Sequence, residues 1–157
     1  MATIYILDSI SRKLKFFEVV KNNQFETTDF SVTNQDVWCE QEIEELKSKC
    51  KGYDVYTTIS PFSSQPHWHE GEEHRLFVTG IGTFFIPTGD DLYCVECRTG
   101  DLIWLKPKLV HWFKTPGNMS AARFFANDLE HTNHISDIAH STFRLRDQFY
   151  NGFNITI

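Results

Sequence analysis

The sequence is sparing with cysteine, proline and methionine, and it contains no long apolar run. Four cysteines, five prolines and two methionines occur among 157 residues. No apolar stretch approaches the roughly 20 residues of a membrane-spanning helix, so no membrane partner is expected. Met1 to Ile10 has neither a basic start nor a long apolar core. It does not read as a signal peptide, and a cytoplasmic location is the expectation. Without export, Cys39, Cys50, Cys94 and Cys97 are expected as reduced thiols. Basic clusters are missing too. With a formal net charge of −6 and no grouped Lys or Arg, nucleic acid is not an expected partner.

What the chain has in quantity is aromatic side chains: 14 Phe and 4 Trp, within a composition that is 41% hydrophobic. Disordered chains are poor in aromatics, so this one folds. Its length fits one domain spanning 1–157, large enough for a core without disulfide staples. Thr3 to Leu7 and Leu14 to Val20 read as short strands. Asn34 to Lys51 reads as a helix, with Cys39, Ile43, Leu46 and Cys50 at helical spacing. Thr33, Asn34 and Asp36 are candidate N-caps and Gly52 the stop.

From Tyr53 onward the period changes. Tyr53–Ser60, Arg75–Thr79, Thr83–Pro87, Leu92–Arg98, Leu102–Lys106, Val110–Thr115 and Ala121–Ala126 are short runs rich in β-branched and aromatic residues. Turn signals separate them, among them Gly80–Gly82, Thr99–Asp101 and Pro116–Asn118. Many short, evenly spaced strands predict a mainly β sandwich or barrel. The expected organisation is an N-terminal strand and helix over 1–52, a barrel over 53–127 and a tail over 128–157. Ser136 to Phe149 would be a second, peripheral helix.

One segment carries the chemistry: His67-Trp68-His69-Glu70-Gly71-Glu72-Glu73. Residues two apart in a strand share a face, so His67 and His69 can aim together into a barrel. Gly71 permits a kink that returns Glu73 to the same place. Glu73, Arg75 and Phe77 then alternate onto one face, and His111 and Phe113 do so later. Three imidazoles with a carboxylate suit iron, nickel, manganese or zinc rather than calcium or magnesium. Four ligands on a six-coordinate ion leave two positions for a chelating substrate.

These residues resemble the two motifs of the cupins. His67-X-His69-X3-Glu73 followed by Gly80 is similar to the first motif. Gly100-Asp101-Leu102-Ile103, then Pro107 and His111, is similar to the second. More narrowly, His67 to Phe77, Gly100 to Phe113 and Arg123-Phe124-Phe125 resemble the acireductone dioxygenases. The resemblance implies a cupin-type double-stranded β-helix, or jelly-roll barrel, with one or two peripheral helices. It implies a cytoplasmic enzyme of methionine salvage. With O2, such an enzyme cleaves an enediol-ketone to formate and a 2-keto acid. His67, His69, Glu73 and His111 would be the ligands, Fe(II) the expected metal, and Ni(II), Mn(II), Co(II) or Zn(II) alternatives in the same site. Arg75 and Arg123 would meet the anionic substrate and Phe113 would line its pocket, with Phe77, Phe125 and His131 nearby. For Arg75, an ion pair with Glu73 or Glu72 is an equal alternative. The chain departs from the family pattern in three ways. The region before the ligands is shorter, the proline before His111 is one residue closer, and no Gly-Trp follows the Arg-Phe-Phe strand.

The partners implied are a small enediol or keto substrate and O2, with a monomer or weak dimer equally compatible. Competing functions are a cupin isomerase or lyase, in which the metal acts as a Lewis acid, and a non-enzymatic metabolite-binding cupin. Cys94 and Cys97 fall three apart in a strand and should face opposite ways, which suits neither zinc nor redox work. His74 should point away from the metal. Trp68, Trp104 and Trp112 are expected between sheets or under the helix. His131, His134 and His140 are expected as solvated tail residues.

Overall fold

The computed structural model describes residues 1–7, 14–50, 52–88, 91–125 and 134–136. Two antiparallel six-stranded sheets face each other. The first holds, in spatial order, β2 (Leu14–Val20), β1 (Ala2–Leu7), β10 (Asp91–Arg98), β9 (Ile81–Thr88), β12 (Trp112–Thr115) and β6 (Phe62–Ser63). The second holds β3 (Gln24–Glu26), β4 (Phe30–Asn34), β11 (Asp101–Leu105), β8 (Glu73–Thr79), β13 (Met119–Phe125) and β5 (Gly52–Thr58). A small pair, β7 (His67–Trp68) with β14 (His134–Ile135), lies apart from both. This is the cupin-type jelly roll that the strand pattern and motifs predict.

The chain crosses between sheets at the motif glycines. Gly80 links β8 to β9 with φ +78°, and Gly100 links β10 to β11 with φ +91°. A Cβ at either corner would also press on backbone, on Asn118 O at Gly80 and on Gln35 O at Gly100. Only glycine takes such a corner without strain. The expected turn Gly80–Gly82 is therefore one residue wide. Gly82 belongs to β9, where the space a side chain would fill is taken by the rings of Phe113 and Phe77.

Between the sheets lies one apolar core that includes Ile4, Phe30, Val32, Phe84, Val95 and Ile103, all at most 1% exposed. The helix α1 is shorter than expected, Glu40–Lys49. Asn34 is not its start. It ends β4, paired opposite Asp101, whose carboxylate accepts from the Asn34 amide at 2.8 Å. The N-cap is Cys39, whose backbone N–H donates to Glu42 at 3.0 Å, and Cys50 closes the far end. Ile43, Leu46 and Cys50 pack with Trp38 on the outer face of the second sheet, against Leu76, Ala122 and Phe124. Sequence periodicity did not report β3 and β4, because β3 is only three residues long and β4 takes its inner partner from the distant β11.

Of the other residues singled out, some sit as expected and some do not. Trp112 faces away from the central core and stacks on Phe85 at 5.3 Å between ring centroids. Trp104 donates its indole N–H to Glu72 at 2.9 Å. Trp68 stacks on His134 at 4.1 Å, so His134 is half-buried against the barrel and not a solvated tail residue. Cys97 lies in the central core and Cys94 on the opposite face of β10. Burial pushes both thiols up. The helix expected over Ser136 to Phe149 lies outside the described residues, apart from Ser136, whose N–H donates to Pro66 O at 2.9 Å.

Candidate metal centre

At one end of the barrel, β7 and the residue before β12 meet as a two-residue bridge. The His67 N–H donates to His111 O and the His111 N–H to His67 O, each at 2.9 Å. This exchange sets the two histidines side by side. His69 follows two residues on, and its carbonyl accepts from the Lys108 N–H at 2.8 Å. The imidazole centroids are 4.5 Å apart for His67–His111, 4.9 Å for His67–His69 and 5.3 Å for His69–His111. One ring nitrogen from each lies within 4.8 Å of the other two.

The protons of two rings are fixed by the backbone. His67 Nδ1 donates to Gln65 O at 2.6 Å and His111 Nδ1 to Leu109 O at 2.9 Å. A carbonyl only accepts, so each Nδ1 carries the hydrogen and each Nε2 presents a lone pair. Burial pushes His111 down to about 3 and lowers His67 as well, with Glu73 pulling the other way at both. Both rings are neutral near pH 7, the form that binds metal.

Glu73, at the start of β8, completes the group. Its Oε1 accepts from Arg75 Nη2 at 2.7 Å. Its Oε2 faces His69 Nε2 at 3.3 Å and His111 Nε2 at 3.8 Å, with no donor in hydrogen-bonding geometry. Burial alone would push this carboxyl up. The Arg75 guanidinium, helped by His69 and His111, outweighs burial and holds it well below the usual carboxylate range. A buried anionic oxygen without a hydrogen-bond partner, set among imidazole nitrogens, is costly unless a cation sits among them. The donor set therefore fits a transition-metal ion, and a bound metal is implied.

Beside this group opens a cavity of about 100 Å³ between the two sheets. Arg75 lies 4.9 Å from the ring centre of Phe84 and 5.0 Å from that of Phe113. Its ion pair with Glu73 is formed, as one of the two sequence alternatives required. Arg123, on β13, grips Asp54 on β5 through Nε at 2.8 Å and Nη2 at 2.6 Å. It lies over Tyr56 at 4.9 Å and Phe125 at 5.7 Å. Phe113 and Phe125 line the cavity. Phe77 does not, being buried in the core with its ring 6.3 Å from that of Phe113. His131 lies outside the described residues. Sequence reasoning missed Asp54, Tyr56, Phe62 and Ser64, which also line or brace the cavity. Nothing local marks them. Asp54 gains its place by standing opposite Arg123, 69 positions away.

His74 points to the other side of β8, as expected, beneath the helix near Trp104 and Cys50. Burial lowers its pKa.

Fold and donor set together define a cupin with a three-histidine, one-carboxylate centre. More narrowly, the chain belongs to the ARD/ARD′ family, whose model matches residues 14–133. It is 38% identical over 64 residues to the acireductone dioxygenase of Saccharopolyspora erythraea, covering 40% of this chain and 34% of that protein. It is 34% identical over 91 residues to that of Citrobacter koseri, covering 49% of this chain and 51% of that protein. The matches thus span about a third to a half of the curated relatives. In fold it is similar to an acireductone dioxygenase from Bacillus anthracis with a cadmium ion in its active centre. There the TM-score is 0.50 and the identity 23%, over 59% of this chain and 62% of that one.

Proposed function

We propose that the protein is an iron-dependent dioxygenase of the acireductone type. His67, His69, Glu73 and His111 would hold the metal, beside the cavity that they help to line. The observation that carries this reading is the orphaned Glu73 Oε2, buried between His69 and His111 beside a cavity lined by two arginines. Held there, a dication would supply the acidification of a chelating enediol, as it does for bound water. The remaining work falls to the protein. Arg75 holds Glu73 in the anionic form and presents its remaining edge to substrate oxygen. Arg123, braced by Asp54, guards the other wall. Phe113 and Phe125 keep water from the reacting carbons.

The overall reaction balances as R–CO–C(OH)=CHOH + O2 → R–CO–COOH + HCOOH. The carbon–carbon double bond breaks, and one oxygen atom of O2 enters each product. Fe(II) is the metal we assign, and the cytoplasm the compartment, in keeping with four free thiols. The test is an oxygen electrode with the iron-loaded protein and a short-chain enediol-ketone. Stoichiometric O2 uptake with formate release is expected. Full turnover without O2 would replace this reading with the isomerase or lyase alternative.

A further inference from the structure

The charges around the cavity cancel in pairs. Among the described residues, Glu73 is matched by Arg75 and Asp54 by Arg123. Imidazoles that coordinate a metal do so in the neutral form and add nothing. A bound dication is then the one uncompensated charge, and a doubly ionised enediol neutralises it. A carboxylate on the substrate's tail would leave a surplus anion in a partly enclosed site, which is costly. The balance suits an uncharged tail.

The wall where that tail would lie is not apolar throughout. Strand register sets the order along the cavity. Phe125 stands opposite Glu73, Arg123 opposite Arg75, and Ala121 opposite both Phe77 and Tyr56. Tyr56 is thus the next step beyond the arginines as seen from the metal end. On the facing sheet, Ser64 stands beside Phe113, two residues past His111. The Ser64 N–H donates to Phe113 O, and Ser64 Oγ accepts from the Phe113 N–H, both at 2.9 Å. With Oγ accepting, the serine hydroxyl hydrogen is left to donate. It finds no acceptor among the described residues, and neither does the Tyr56 hydroxyl. Both residues line the cavity. Thioether sulfur is a weak acceptor and would leave both donors unmet, whereas a hydroxyl or neutral carbonyl oxygen would satisfy them.

We infer that the pocket selects an enediol-ketone whose uncharged tail carries a hydroxyl or other neutral oxygen, and that Ser64 and Tyr56 are the specificity-determining residues that read it. This rests on the chelated-enediol reading above. The test is an anaerobic titration of the metal-loaded protein with three enediol-ketones of equal length, ending in hydroxyl, methylthio or carboxylate. Ionisation of the enediol on chelation shifts its ultraviolet band and reports binding without turnover. The hydroxyl compound should bind about three- to tenfold more tightly than the methylthio compound, the range of one or two neutral hydrogen bonds, and the carboxylate should bind weakest. Ser64→Ala and Tyr56→Phe should each remove part of that advantage, weakening the hydroxyl compound more than the methylthio compound. Tyr56→Phe keeps the ring under Arg123 and serves alone if Ser64→Ala fails to fold. Tightest binding by the methylthio or carboxylate compound would overturn the inference while leaving chelation intact. So would a hydroxyl advantage that survives both variants. If no compound shifts its band, the chelation reading fails and takes this inference with it.

Discussion

Two regions of the barrel, the metal site and the apolar core beside it, are built on opposite rules. Along β8 the inward positions run Glu73, Arg75, Phe77, from charged to fully apolar within five residues. The segment His111–Phe113 makes the same change in two steps. Across the second sheet, Phe30 and Val32 stand in register with Leu105 and Ile103, which pair with Glu73 and Arg75, and both pack in an apolar core that includes Ile4. The apolar core supplies the hydrophobic stabilisation. The metal end carries buried polar groups that a core would not tolerate without partners, so stability and chemistry fall on different residues of one barrel.

The sharpest break in that comparison is at the metal end. His111→Ala should weaken metal binding by about 100-fold or more, judged by metal analysis after dialysis, while the circular dichroism stays that of a folded β protein. A collapse of the fold would mean that the two regions are not separable. In the apolar core, Phe30→Ala should lower unfolding stability by about 3–5 kcal/mol in a denaturant titration, with metal content per folded molecule unchanged. Between the two, Arg75→Lys keeps a charge but loses the planar fork. Activity should fall on the order of tenfold or more with normal metal content. Loss of metal instead would make Arg75 a support for Glu73 alone. The smallest effect concerns thiols. Cys39 is exposed and should react with an aromatic disulfide reagent in the native protein. Cys94 and Cys97 should react only on unfolding, because burial hides them and raises their pKa.

The metal end was more legible in the sequence than the scaffold before it. A period of two puts His67 and His69 on one face, and the motif glycines mark sheet crossings, so local spacing carries that information. The start of the helix was misread because Thr33, Asn34 and Asp36 are good caps in isolation. What overrides them is the pairing of β4 with β11 and the buried Asn34–Asp101 bond, across 67 positions. The cavity wall was illegible for the same reason. Asp54 and Tyr56 sit in a strand, and Ser64 just after one, whose own patterns name no partner. Only the register of β5 on β13 and the bond between Ser64 and Phe113 bring them to the site.

The most direct test of the metal centre is X-ray absorption at the iron edge of the reconstituted protein, wild type beside His111→Ala. The account predicts a shell of nitrogen and oxygen only, with the multiple-scattering pattern of three imidazoles and room for exogenous ligands, and loss of that signal in the variant. A sulfur neighbour, a closed tetrahedral shell, or an unchanged spectrum in His111→Ala would contradict it.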